Sequence, residues 1–163
     1  MRFPLRLLAV VLFSVLGLTA VRAVETYKTG DTLEAFTVTD AKGATFAYEP
    51  GKLAYLIVSY EMSPGKVVNG FLAKQPADFL DANRAAFMAN IYGMPAIGRF
   101  FALPKMAKYP HRILLADSET LLARHPVKED RVTVFSLDAK GVITGIRQLD
   151  PQKELGQLFS PTK

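Results

Sequence analysis

Two kinds of apolar periodicity alternate along this chain. Phe36–Asp40 alternates apolar and polar side chains with period two, Ala41-Lys42-Gly43 turns, and Ala44–Tyr48 resumes the alternation, which predicts a β-hairpin. After the punctuation at Glu49–Lys52, Leu53–Ser59 is a nearly continuous apolar run of strand length, the pattern of a strand covered on both faces. Ser63-Pro64-Gly65 then predicts a helix start, with Ser63 as the N-cap and Pro64 at the first position; Val67, Val68, Phe71 and Leu72 mark its inner face. A second helical piece, Ala77–Arg84, presents Phe79 and Leu80. Ala85–Ile91 reads as the next buried strand. Ala96–Lys108 reads as an amphipathic helix with Ile97, Phe100, Phe101 and Met106 turned inward and a break at Pro104. Arg112–Ala116 is a third buried strand, ended by Asp117. Arg131–Asp138 and Val142–Leu149 flank the turn Ala139-Lys140-Gly141, and Pro151 opens a last helix with Leu155, Leu158 and Phe159 facing in. Strands alternating with helices predict one α/β domain, a central sheet with helices on both faces, and the closing hairpin makes that sheet mixed.

The order of these pieces carries a resemblance. A hairpin precedes a strand, a helix, a strand, a helix and the strand Ile113–Ala116 ending in Asp117; Val132–Ile143 and a final helix follow. This resembles the thioredoxin-like superfamily, in its peroxiredoxin and periplasmic thiol-reductase branch, over about residues 30–160. The resemblance implies a thioredoxin-like mixed sheet with an N-terminal β-hairpin. It also implies a site between the first core strand and its helix, where that superfamily carries Cys-x-x-Cys or a peroxidatic cysteine. Here the stretch reads Tyr60-Glu61-Met62-Ser63-Pro64-Gly65-Lys66, and the chain has no cysteine at all. Only a thiolate attacks and cycles through a disulfide, so the likeness carries the fold without the redox chemistry. The proline that precedes the fourth core strand in that superfamily is missing too: Lys128-Glu129-Asp130-Arg131 stands there, with Pro126 several residues early. In such a fold these two loops meet at the end of the sheet where open α/β sheets bind ligands. Tyr60, Glu61, Met62, Lys66, Asp130 and Arg131 are therefore the candidate ligand-binding residues. The chain is also similar to a group of small exported bacterial proteins, some of which carry a flavin-dehydrogenase label.

Composition changes the picture in two places. The first 23 residues have the three parts of a secretory signal: Arg2 and Arg6, the apolar stretch Leu7–Val21, and small side chains at Val21 and Ala23 before the expected cleavage. The apolar stretch is short of the about 20 residues that span a bilayer, so cleavage is expected, an uncleaved anchor being the alternative; after cleavage residues 24–163 are expected as an exported domain without a transmembrane span, in a bacterial periplasm. Removing Arg2, Arg6 and Arg22 takes the formal charge from +5 to +2, which removes most of the nucleic-acid signal in the basic composition. The absence of cysteine also excludes thiolate metal sites and c-type haem attachment.

Other chemistry finds no foothold. His111 and His125 have no ligand partner at helix or hairpin spacing and read as ordinary surface or capping residues, so no metal site is expected. Asp78/Asp81, Asp117/Glu119 and Glu129/Asp130 read as a solvated helix face, a strand end and a turn. There is no G-x-S-x-G elbow, no P-loop and no G-x-G-x-x-G, so no catalytic residue and no resident cofactor are assigned. One surface stands out. No acidic residue occurs from Ala82 to Ala116, while Arg99, Lys105, Lys108 and Arg112 interleave with methionines and aromatics, a candidate partner surface for an acidic protein, an anionic lipid or an anionic small molecule. The leading expectation is a non-redox exported module that binds a protein or small ligand. The alternative is a cofactor-dependent oxidoreductase, flavin being the candidate, in the same groove.

Overall fold

The computed structural model describes residues 24–160; the expected leader lies outside the described residues. The apolar run Leu56-Ile57-Val58 is fully buried because it forms the central strand β3 (Tyr55–Ser59). This strand pairs in parallel with β4 (Ala85–Asn90) and antiparallel with β6 (Val132–Leu137). A short strand, β5 (Leu114–Ala116), extends the parallel set beside β4. The hairpin of β1 (Phe36–Asp40) and β2 (Thr45–Tyr48) closes that edge, and β7 (Ile143–Leu149) closes the other, giving the order β2-β1-β5-β4-β3-β6-β7.

Two apolar layers cover the sheet. On one face Ile57, Phe87, Ile113 and Val134 meet α1 (Met62–Leu72), α2 (Phe79–Ala82) and α5 (Leu155–Leu158) through Val68, Leu72, Leu80 and Leu155. Met106 and Tyr109, at the end of α3 (Ala96–Ala107), pack on this same layer. That placement follows from two successive right-handed crossovers stepping in one direction, β3 to β4 to β5. On the other face Leu56, Val58, Met88, Phe135 and Ile143 are covered by Tyr27 and Leu33 of the N-terminal arm and by α4 (Glu119–Leu122), a single turn that the sequence pattern does not reveal.

Several expectations need correction. The helix after β3 begins at Met62, one residue before the expected N-cap Ser63; Glu61 stands in the cap position with extended backbone and no side chain caps the helix. Ser59 Oγ instead donates to the Glu61 carbonyl at 2.8 Å, fixing the strand-to-helix corner. Only Phe79–Ala82 of the second helical piece is helical, since Arg84 turns to φ 48° and its carbonyl accepts from Ala54 N. Pro104 does not break α3, which runs through it. A proline removes the bond to the carbonyl four residues back, here that of Phe100, a residue on the exposed side of the helix, where losing the bond costs least. The last helix is one turn, not a run from Pro151. His111 and His125 are not surface residues: they are 2% and 8% exposed. Ile97, Phe100 and Phe101 are not inward; they are among the most exposed apolar side chains described, and only Met106 of the expected inner face is half-buried.

Both hairpins turn on the same tetrapeptide, Asp-Ala-Lys-Gly. In the first, Asp40 Oδ1 accepts from Lys42 N and Ala44 N; in the second, Asp138 Oδ1 accepts from Lys140 N and Val142 N. The short carboxylate thus satisfies the turn's amides locally, and Gly43 and Gly141 supply the left-handed residue at φ 86° and 78°. The two amide bonds at Asp138 hold its carboxyl below the usual range.

Candidate functional site

The carboxyl ends of β3 and β4 open between α1 and α3 into a cleft of about 340 Å³. Its walls are mostly apolar: Met62 from the start of α1, Met94 from the loop before α3, and Phe101 and Met106 from α3. Glu61, Lys66 and Lys105 bring charge to it, and Asn69 contributes a buried amide. Pro64 and Gly65 are buried at the helix start, where Gly65 lies so close to Ser59 that an added Cβ would stand 3.0 Å from its hydroxyl. Glycine there lets the first turn of α1 sit directly on the strand end.

The six expected site residues are divided by the structure. Glu61, Met62 and Lys66 line the cleft together. Asp130 approaches them through its backbone, its N–H donating to Glu61 Oε2 at 3.4 Å from a left-handed conformation at φ 55°. Arg131 does not join: its guanidinium faces Glu154 Oε2 at 3.5 Å and Asp150 Oδ2 at 3.9 Å, acids of the C-terminal segment. Tyr60 turns to the opposite layer, where its hydroxyl pairs with His125 Nδ1 at 3.2 Å. Burial raises the Tyr60 phenol well above its ordinary range and holds the His125 imidazole down at about 4. Tyr27 and Phe135 pack edge-on against the same imidazole. A histidine with no spacing partner in sequence finds its partners only across strands and the arm, which no local pattern could show.

The expected cationic surface shrinks to two lysines. Arg112 Nε lies 3.5 Å from Asp40 Oδ2 and its guanidinium sits over Phe46, at the hairpin edge away from α3. Arg99 is fully engaged: both terminal nitrogens reach the Asp117 carboxylate at 2.5 Å, Nε donates to the Met94 carbonyl and Nη2 to that of Ile91. The pair raises the Arg99 pKa and lowers that of Asp117. Arg99 is therefore a fastener that ties α3 to the ends of β4 and β5. Arg99→Ala is expected to speed amide hydrogen exchange in residues 92–99 while leaving β3 and α1 protected. Unchanged exchange there would mean that packing alone holds α3.

A second cavity, about 630 Å³, lies beside β1 and is lined by Leu33, Val38, Met88, Leu121 and His125. It forms because β5 pairs with β1 only at Thr39 and Asp40, so the first half of β1 stands apart from the segment after β5. Arg99, the cation at its margin, is already paired.

The fold and the corner after β3 together define the class. No family model and no curated protein matches the chain. Solved structures do. The chain is similar to the thioredoxin domain of a thiol-disulfide oxidoreductase from Bacteroides vulgatus, with TM-score 0.54 and 17% identity over 82% of this chain and 99% of that one. It is similar to a peroxidoxin from Mycobacterium tuberculosis, with TM-score 0.52 and 16% identity over 80% and 92%. A thiol peroxidase from Chromobacterium violaceum gives TM-score 0.50 and 14% identity over 82% and 87%. The fold is thioredoxin-like, a mixed seven-stranded sheet with an N-terminal hairpin. This thioredoxin-like chain has no cysteine, so the redox site of the fold is absent from it.

Proposed function

We propose that this protein is a non-redox binding module whose α1–α3 cleft takes a small ligand with an apolar body and a negative end. The observation that supports the reading is the composition of the cleft. Three methionines and a phenylalanine offer a deformable apolar wall, while Lys66 and Lys105 stand at it without an ion-pair partner among the described residues. The start of α1 adds to this, having neither a side-chain cap nor an acidic residue in its first turn, so its N–H groups favour an anion. Glu61 repels the negative end from one side and so orients it toward Lys66.

Decanoate is a suitable probe, with decanol as its neutral counterpart. Titration calorimetry is expected to show decanoate binding that weakens about tenfold in Lys66→Glu, the scale of losing one charge-assisted contact and gaining a repulsion. Absence of binding, or equal binding by Lys66→Glu, would overturn the reading. The flavin alternative gains nothing from the described residues, which offer no glycine-rich phosphate loop at either cavity. A yellow chromophore carried by the purified protein at about one equivalent would reverse that preference.

A further inference from the structure

From the outward side of α3 we infer that this helix is a peripheral docking ridge for an anionic bilayer surface, a role distinct from ligand binding in the cleft behind it, whose margin it shares at Phe101 and Lys105. None of the twelve residues of α3 is buried, and Ile97, Phe100 and Phe101 are 67%, 71% and 68% exposed. These residues, with Pro104 and Lys108, fall on one stripe at helical spacing, opposite Ala102 and Met106. An apolar stripe on a covering helix normally faces the sheet, because burial removes it from water. Here the helix cannot roll to hide it. Arg99, on the inner side, is bonded to Asp117 and to the carbonyls of Met94 and Ile91, which sets the face that looks out.

Charge identifies what covers the ridge. The stripe passes from apolar side chains in the first two turns to Lys105 and Lys108 at its end, and no acidic residue occurs between Ala82 and Ala116. A second copy is a poor occupant. Docked in parallel, the two ridges would bring lysine against lysine; docked antiparallel, they would set each lysine pair against the positive end of the other helix. A protein pocket is a weaker fit as well, since Phe100 and Phe101 stand edge-to-face with rings 5.2 Å apart and both project into solvent, so a partner would need a matched recess for the pair. Acyl chains accept protruding rings without a matching shape, and lysines at the end of such a stripe reach lipid phosphates. No described helix is long and apolar enough to cross a membrane, so the contact is interfacial.

The test uses protein beginning at Val24, which carries the whole described core, sedimented with vesicles of phosphatidylcholine alone or with about one-third phosphatidylglycerol. Binding is expected on the anionic vesicles and about tenfold weaker on the neutral ones. Ile97→Ser/Phe100→Ser and, separately, Lys108→Glu should each reduce binding to anionic vesicles about tenfold. The replaced side chains are exposed and lie outside the cleft, so both variants should keep the wild-type circular dichroism and decanoate binding; Lys66→Glu should leave vesicle binding within about twofold. No binding to anionic vesicles, or binding that the double variant retains, would overturn the ridge. So would a concentration-dependent dimer in analytical ultracentrifugation that the double variant abolishes, which would assign the ridge to a second copy.

Discussion

Gly141→Ala is expected to destabilise the fold by about 3 kcal/mol, whereas Gly43→Ala, in the identical tetrapeptide of the other hairpin, is expected to lose only about 1 kcal/mol. Both glycines sit in the left-handed region, at φ 78° and 86°, so an alanine is strained at either position. The environments differ. Around Gly43 an added Cβ meets nothing within 4 Å. At Gly141 it would stand 2.6 Å from Pro50 Cβ and 3.0 Å from the Tyr48 hydroxyl, both held in the loop and strand that close on this turn. The contact is reciprocal, since a Cβ on Gly51 would meet the Ala139 carbonyl oxygen at 2.4 Å. Backbone on backbone cannot yield by rotating a side chain. Urea unfolding of the two variants measures the difference directly; equal midpoints would mean that the two loops separate freely and that the junction adds nothing to stability.

Acid should destabilise the protein well before its carboxylates titrate. His125 is held at about 4 by burial, and His111 is likewise held at about 4 by burial with Lys42 nearby. In the unfolded chain both imidazoles return to about 6.5. Between these values the unfolded state binds protons that the folded state refuses, so stability is fully present above about pH 6.5 and is lost as pH falls toward 4. For His125 alone the loss is roughly 3 kcal/mol at the acid end. Asp117 and Asp138 are shifted below their ordinary range, by Arg99 and by turn amides respectively, so their loss comes at still lower pH and does not mask this window. In a urea midpoint series from pH 7 to about 4, His125→Asn should flatten the slope by close to one proton, even if the whole curve drops because Tyr60 loses its partner. A slope unchanged by the substitution would show that the imidazole protonates in the folded state.

Both effects depend on meetings between distant segments, and they divide what could be read in advance from what could not. The alternation at Phe36–Tyr48, the apolar run through Leu56–Val58 and the Asp-Ala-Lys-Gly turns act within a few residues of chain. Local backbone preference and strand period suffice to place them, and their order suffices for the thioredoxin-like class. The absence of cysteine is a fact of composition and removes the thiol site of this fold without coordinates. Of the candidate site, Glu61, Met62 and Lys66 were legible because they occupy one strand-to-helix corner.

What the tertiary structure decided is which way side chains face and with whom they pair. Hydropathy assigns Ile97, Phe100 and Phe101 to the inside, because an apolar stripe at helical spacing usually has a sheet beneath it. In this fold α3 adds only Met106 to the apolar layer on the sheet, and Arg99 turns the stripe to solvent. Arg112, Arg99 and Arg131 look alike in sequence as unpaired cations, yet Asp40, Asp117 and Glu154 lie near them only after the hairpin, the parallel strands and the C-terminal segment come together. His111 and His125 carry no local sign of burial, since the groups that desolvate them come from other elements. Sequence alone determined the strands, the two long helices, their order and the missing thiols, because those are properties of neighbouring residues or of composition. The orientation of α3, the neutralised arginines and the buried histidines were decided by long-range packing, where the partner of a residue is set by topology and not by its place in the chain.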